Sequence, residues 1–260
     1  MTILKKELSN GWLTLTLDDP SRRNALSDEM SGALRSALNE ARDDRSVRGI
    51  LMRGAGGVFC AGGDLKAFKT DLQAGGQAAV EEMSRGAGDL FALVDSQPQP
   101  VIALVDGPAM AGGLGLVCCA DVVAVTRAAR FALTEVNLGI VAAQIAPYIL
   151  RRFGPTTGRR LMVTAARFDG KEAFDLGLAD QLADDSDGLN AYAEAVVTSV
   201  NQAAPGAIAA TKALCRAAPH LDGEAMTQEA ARVFAATLLS EEGREGIAAF
   251  AEKRKPRWAQ

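Results

Sequence analysis

VIALVDGPAMAGGLGLVCCADVVAV, residues 101–125, decides the fold. Residues 101–105 are a continuous apolar run bounded by turn residues, which suits a strand buried on both faces. Gly107-Pro108 and the glycine cluster at 111–113 break the run, an uncharged helix is expected to about Ala120, and residues 122–125 form a second buried strand. Strand, glycine-rich turn, helix and strand in this order predict an α/β architecture.

Upstream, VFCAGGDL at 58–65 repeats the device: a strand-like run ends in glycines, and Asp64 is expected to start a short helix. Before it, residues 12–17 alternate and read as a strand, and residues 47–53 read as another. Between them Ser27 is a good N-cap, with Asp28 and Glu29 in the first turn and Met30, Leu34, Leu38 and Ala41 at helical spacing. Residues 71–79 look loose, and Val80, Met83, Ala87, Leu90, Phe91 and Val94 then mark a long amphipathic helix ended by Pro98 and Pro100. Residues 131–134 read as a short strand. From about Ala143 helical patterns dominate, including Leu189, Tyr192, Val196 and Val200, then Met226, Ala230, Val233, Phe234 and Leu238. Strands therefore crowd the first half and helices the second.

A net charge of −4 gives no electrostatic reason to expect nucleic acid as a partner. The uncharged stretches between Asp106 and Asp121 and between Glu135 and Arg151 are too short to span a bilayer, and the first residues lack an apolar signal-peptide core. A cytoplasmic protein without membrane contact is expected. Cys60, Cys118, Cys119 and Cys215 fit no zinc ligand spacing, so no metal site is expected. His220 is the one histidine and lies in a loop-like APHLDG, so a Cys–His or Ser–His nucleophile is hard to build.

The two glycine clusters match neither G-x-G-x-x-G, because Cys118 stands at the third glycine, nor the phosphate-loop pattern. They are either tight strand-to-helix turns or the two halves of an oxyanion hole. In the second reading, helix-start N–H groups converge on one oxygen, and glycine permits the close approach.

VFCAGGDLK, the 101–125 stretch and FALTEVNLGI (131–140) together resemble the enoyl-CoA hydratase/isomerase, or crotonase, family; SRRNALSDEM (21–30) and EGIAAFAEKRKPRW (245–258) extend the resemblance over nearly the whole chain. It implies an α/β spiral of β-β-α turns (1–195) with a C-terminal helical trimerisation region (196–260), assembled as a homotrimer or dimer of trimers. It implies an acyl-CoA substrate, with coenzyme A as part of the thioester and no separate cofactor. Carried over by position, Gly63 and Gly112 would donate N–H groups to the thioester oxygen. Ala61 would lie near the adenine, with Asp64 and Leu65 in the same pocket. Arg22 and Arg23 would meet the CoA phosphates, helped by Lys253 and Lys255 of a neighbouring subunit. Ala25, Gly113, Thr134 and Leu138 complete the implied binding set.

Family hydratases use two glutamates. Gly115 stands at the first position, and Glu135 matches the second. One carboxylate supports a double-bond isomerase, and a hydratase only if something else positions the water. VAAQIAPYILRRFG (141–154) and the GLGLVCCAD run are similar to hydratases acting on methylglutaconyl-CoA and isohexenylglutaconyl-CoA, in which the substrate's own carboxylate would hold the water and Gln144 would contact it. Three readings stay open: a 2-enoyl-CoA hydratase, an isomerase using Glu135 alone, and a non-catalytic acyl-CoA-binding relative.

Overall fold

The computed structural model describes residues 2–64 and 76–259. The chain opens with a hairpin, β1 (Leu4–Ser9) and β2 (Trp12–Leu17), turned by Asn10 (φ 50°) and Gly11 (φ 80°). Positive φ at both central residues is what a two-residue turn needs to match the strand twist. Helix α1 (Asp28–Asp43) begins where expected, with Ser27 Oγ accepting from Met30 N at 3.2 Å. Next come β3 (Gly49–Gly54), α2 (Gln77–Asp95), β4 (Val101–Val105), β5 (Pro108–Met110), α3 (Gly112–Cys119), β6 (Val122–Thr126) and β7 (Arg130–Ala132). The second half holds α4 (Ala146–Val163, broken at Gly154 with φ 75°), β8 (Arg167–Asp169), α5 (Gly170–Asp175), β9 (Gln181–Ala183), α6 (Ser186–Asn201), α7 (Pro205–Ala217), α8 (Gly223–Leu238) and α9 (Glu241–Ala251).

Four expectations are corrected. β3 starts at Gly49, not Val47, because Asp44 organises a turn, accepting from Ser46 N on its side chain and from Val47 N on its carbonyl. α2 begins at Gln77, inside the stretch read as loose. β7 ends at Ala132, so Thr134 lies beyond the strand. β8 and β9 fall in the half read as helical, since three-residue strands are too short to show alternation. The expected helix after Asp64 lies outside the described residues, and α6 runs continuously through residues 195 and 196.

Six strands form one sheet, ordered β1-β2-β3-β4-β6-β9 and parallel except for the β1–β2 hairpin. A second sheet, β5-β7-β8, pairs β5 with β7 in parallel and β7 with β8 antiparallel. Every β4 residue is buried because both faces of the large sheet are covered. Val101, Ala103 and Val105 join the main core with Met30, Leu34, Leu90 and Phe91, while Ile102 and Leu104 meet Leu189 and Ala193 of α6 on the other face. At Asp106-Gly107 the chain leaves the large sheet for the small one. A methyl group added at Gly107 would overlap the Gly57 carbonyl oxygen, so only glycine lets the two segments cross there.

The last helices are held to the core by α7. Lys212 Nζ donates to Gln99 O at 2.7 Å and pairs with Asp121, and Arg216 Nη1 donates to Asp95 O at 3.1 Å. Beyond it α8 buries no residue, and Phe234 and Phe250 are 67% and 88% exposed. No helix among the described residues is long and apolar enough to cross a membrane.

Candidate active site

Backbone hydrogen bonds zip the two glycine clusters together. Phe59 N and Cys60 N donate to Pro108 O at 3.0 and 3.1 Å, and Met110 N donates to Cys60 O at 2.9 Å. Past this ladder, the segments carry Gly62-Gly63 and Ala111-Gly112 side by side. A methyl group added at Gly62 would lie 2.8 Å from Met110 O, 3.0 Å from Ala111 Cβ and 3.4 Å from Gly112 N. Gly62 also has φ 93°, which L side chains avoid. Ala111 holds φ 48° without being glycine, and its N–H donates to Ala132 O at 2.8 Å, fixing the entry into α3. Neither the Gly63 N–H nor the Gly112 N–H has an acceptor among the described residues. Two free amides therefore stand next to each other, one at a helix start, an arrangement suited to an oxygen that gains negative charge.

β5 and β7 are parallel neighbours paired through Met110 and Ala132, so Gly112 and Glu135 both follow closely from the same end of the small sheet. Glu135 opens a 3₁₀ turn, Glu135–Leu138, closed by Gly139 at φ 74°. Its Oε2 is buried and has no hydrogen-bond partner among the described residues. Burial raises its pKa above the usual carboxylate range. A carboxylate with one buried oxygen left unpartnered is fitted to take up and return a proton.

The segment from Asp19 to Ser27 lies along the first glycine cluster. Ala61 N donates to Arg23 O at 3.1 Å, and Leu26 N donates to Gly62 O at 2.8 Å. Arg22, Arg23, Ala25, Ala61 and Asp64 thus lie along the first glycine cluster. Arg22 Nε stands 3.8 Å from Asp64 Oδ2, Arg23 is exposed, and Ala25 is buried. The sequence reading missed Asn24, which locks this segment. Its Oδ1 accepts from Asp19 N, and its Nδ2 donates to Ala55 O and Val58 O at 3.0 and 2.6 Å. Leu65 lies outside the described residues. Lys253 and Lys255 are exposed at the far C-terminus.

Other expected members are placed differently from one another. Gly113 is buried, and Cys60 closes the side where a side chain would stand: an added methyl group would overlap Cys60 O and lie 2.9 Å from Cys60 Cβ. Thr134 is half-buried at the start of the Glu135 turn, and Leu138 is exposed. Gln144 Nε2 donates to Ser84 Oγ of α2 at 3.0 Å, which ties it to the helix wall. Cys60 packs inwards as expected, and burial pushes its thiol up to about 12, too high for a nucleophile. No cluster of three metal-ligating side chains occurs among the described residues.

Hydrocarbon fills the position where a second glutamate would stand. A methyl group added at Gly115 would overlap Ile145 Cγ2 and lie 3.0 Å from Ile145 Cβ and 3.1 Å from Phe91 Cε1. Ile145 is 4% exposed and Phe91 3%, so neither can swing aside freely. Gly115→Glu should therefore not raise hydration; it should destabilise the fold by about 1–3 kcal/mol through overpacking, with more for a buried unpaired carboxylate. A denaturant titration beside a turnover assay checks this, and a stable variant with higher turnover would contradict it.

The sequence matches the family described as Enoyl-CoA hydratase/isomerase over residues 7–260. Among solved structures, Pseudomonas aeruginosa AtuE superposes with a TM-score of 0.95 at 45% identity, covering 99% of this chain and all of that one (100%). An enoyl-CoA hydratase/isomerase from Marinobacter aquaeolei gives 0.94 at 35% identity, covering 99% of each chain. The carnitinyl-CoA dehydratase of Proteus mirabilis is 33% identical over 95% of this chain and 94% of its own length. The spiral α/β core with its helical C-terminal region is the crotonase fold. With the match running from residue 7 to the C-terminus, the chain belongs to the enoyl-CoA hydratase/isomerase family.

Proposed function

We propose that this enzyme adds water across the double bond of a 2-enoyl-CoA. The thioester oxygen lies against the amides of Gly63 and Gly112, and Glu135 handles the protons. The carrying observation is the pair of acceptor-free amides on converging loops, with a buried, unpartnered carboxylate oxygen on the segment that leaves the same end of the small sheet. Two relatives carry names in keeping with addition or removal of water on CoA thioesters.

With hydrocarbon at Gly115, one carboxylate serves both proton steps. Glu135 takes a proton from water as the hydroxyl oxygen bonds the β-carbon. The double-bond electron pair moves towards the carbonyl, and the two amides hold the resulting enolate oxygen. Glu135 then returns a proton to the α-carbon, and the carbonyl re-forms. An amide donor of this type is worth about 2.7–4 kcal/mol of barrier. Arg22, Arg23, Ala25, Ala61 and Asp64 would face the nucleotide end of CoA, and Gly113, Thr134 and Leu138 the remainder of the substrate. No cofactor besides the CoA of the substrate is proposed.

The finer reading is a branched glutaconyl-CoA substrate, whose own carboxylate holds the water that a second glutamate holds elsewhere. The resemblance of residues 141–154 supports it, as does Gln144, which the Ser84 bond fixes on the α2 side of the site. Assembly as a homotrimer or dimer of trimers accompanies this reading. The exposed Val136, Ile140 and Val141, and Phe234, Leu239 and Phe250 on the last helices, leave apolar surface for neighbouring copies.

One assay tests the reading. A straight 2-enoyl-CoA, a 3-enoyl-CoA and methylglutaconyl-CoA are supplied in turn, and ultraviolet absorbance and incorporation of water oxygen are followed. The expected result is hydration, fastest on the branched substrate. Movement of the double bond without water uptake would replace the hydratase by the isomerase, and binding without turnover on all three would leave only an acyl-CoA carrier. Sedimentation of the same preparation should give a multiple of three chains; a monomer would refute the assembly.

A further inference from the structure

On the outer face of the large sheet, behind the site, two buried oxygens have no partner among the described residues: Asp106 Oδ1 and Thr126 Oγ1. They belong together. Val105 and Val125 are paired in register, so Asp106 and Thr126 are the next residues on neighbouring parallel strands. Alternation puts both on the face of Leu104 and Ala124, under α6. Thr126 is 2% exposed. The other Asp106 oxygen, Oδ2, accepts from Ser186 Oγ at 3.2 Å, and Ser186 is the first residue of α6, where the helix dipole favours a carboxylate. One turn along α6, Arg53 Nη1 donates to Asn190 Oδ1 at 3.4 Å.

A buried carboxylate oxygen and a buried hydroxyl both need partners, because leaving either unmet costs as much as losing a hydrogen bond. A neutral donor with two to four polar contacts, an ordered water, satisfies both oxygens. The location gives the network a consequence. Asp106 is the first residue after β4, at the point where the chain crosses to the small sheet and runs on to Gly112.

We propose that Asp106 is a positioning residue: with Ser186, Thr126 and one ordered water it fixes the crossing between the sheets, and so the direction in which the Gly112 amide points. The proposal rests on the assignment of that amide as a thioester donor, and its test separates the two. The carbonyl stretching frequency of bound butyryl-CoA, which cannot be hydrated, is measured by infrared difference spectroscopy, beside kcat and KM on a 2-enoyl-CoA. The wild type should show a shift to lower frequency. Asp106→Leu should lose most of that shift and lower kcat about 10- to 100-fold, with KM nearly unchanged, the scale of a misplacement near 1 Å. Asp106→Asn, which keeps an oxygen for Ser186, should recover most of both, and Thr126→Val should fall between. A wild type without any shift would defeat the donor assignment itself. A wild-type shift that survives intact in Asp106→Leu would overturn the positioning role. If that variant fails to fold, Ser186→Ala and Thr126→Val decide: an unchanged shift in both overturns it equally.

Discussion

Glu135→Gln should lower kcat by about 10²–10⁴-fold, the usual worth of a positioned proton-transfer group, and leave the affinity for CoA thioesters close to wild type. Glutamine keeps the shape and the carbonyl oxygen but can neither accept nor return a proton. The pH profile carries the same information. Burial holds the Glu135 pKa above its ordinary value of 4.5. The first step needs the carboxylate, so wild-type turnover should rise along an acid limb whose midpoint lies above that value, and the residual activity of the variant should lack this limb. Stability should move the other way. A raised folded pKa gives a carboxyl a stabilising contribution that is full below its unfolded pKa and is lost as pH rises through the folded value. At neutral pH the wild type carries the cost of a half-buried charge with one oxygen unpartnered, and Glu135→Gln removes it. Thermal unfolding at pH 7 should therefore show the variant at least as stable as wild type, with the difference shrinking as the pH is lowered. Turnover equal to wild type would remove Glu135 from the chemistry.

Gly62→Ala should be nearly as damaging, through the backbone alone. The added methyl would stand 2.8 Å from Met110 O and 3.0 Å from Ala111 Cβ, and φ 93° is unfavourable for any L side chain. The first loop must then back away from the second, taking the Gly63 amide with it. The expected loss is about 10²–10³-fold in kcat, as for deletion of an oxyanion donor, with about 1–3 kcal/mol of stability from the strained backbone. Steady-state kinetics and a denaturant titration read the two parts separately. A folded Gly62→Ala enzyme with full kcat would show that the convergence of the loops is not needed.

The elements legible in the sequence are those whose burial writes a pattern. β4 is apolar at every position because α6 covers one face of the sheet and the main core the other. α1 announces itself through Ser27 and the spacing of Met30, Leu34 and Leu38. β1 was missed although Asn10-Gly11 signals the turn, because five of its six residues are exposed and leave no alternation to read. β5 hides in a glycine-rich run, since its three residues are defined by pairing with β7 and the loop at 59–60 rather than by side chains. For the site, local sequence marks which amides are free of side-chain hindrance but not which ones meet; that depends on the ladder between Pro108 and Cys60. Nor does Gly115 alone tell that Ile145 and Phe91 occupy the space beside it, because they come from segments far apart in the chain. Asn24 and Asp106 look like ordinary loop residues until their partners at Ala55, Val58 and Ser186 are seen.

The most direct measurement is the structure of the Glu135→Gln protein bound to a 2-enoyl-CoA. The thioester oxygen should lie about 2.7–3.1 Å from both Gly63 N and Gly112 N, with the residue-135 side chain facing the α- and β-carbons. A thioester oxygen bound away from either amide, or acyl carbons turned from residue 135, would contradict the account.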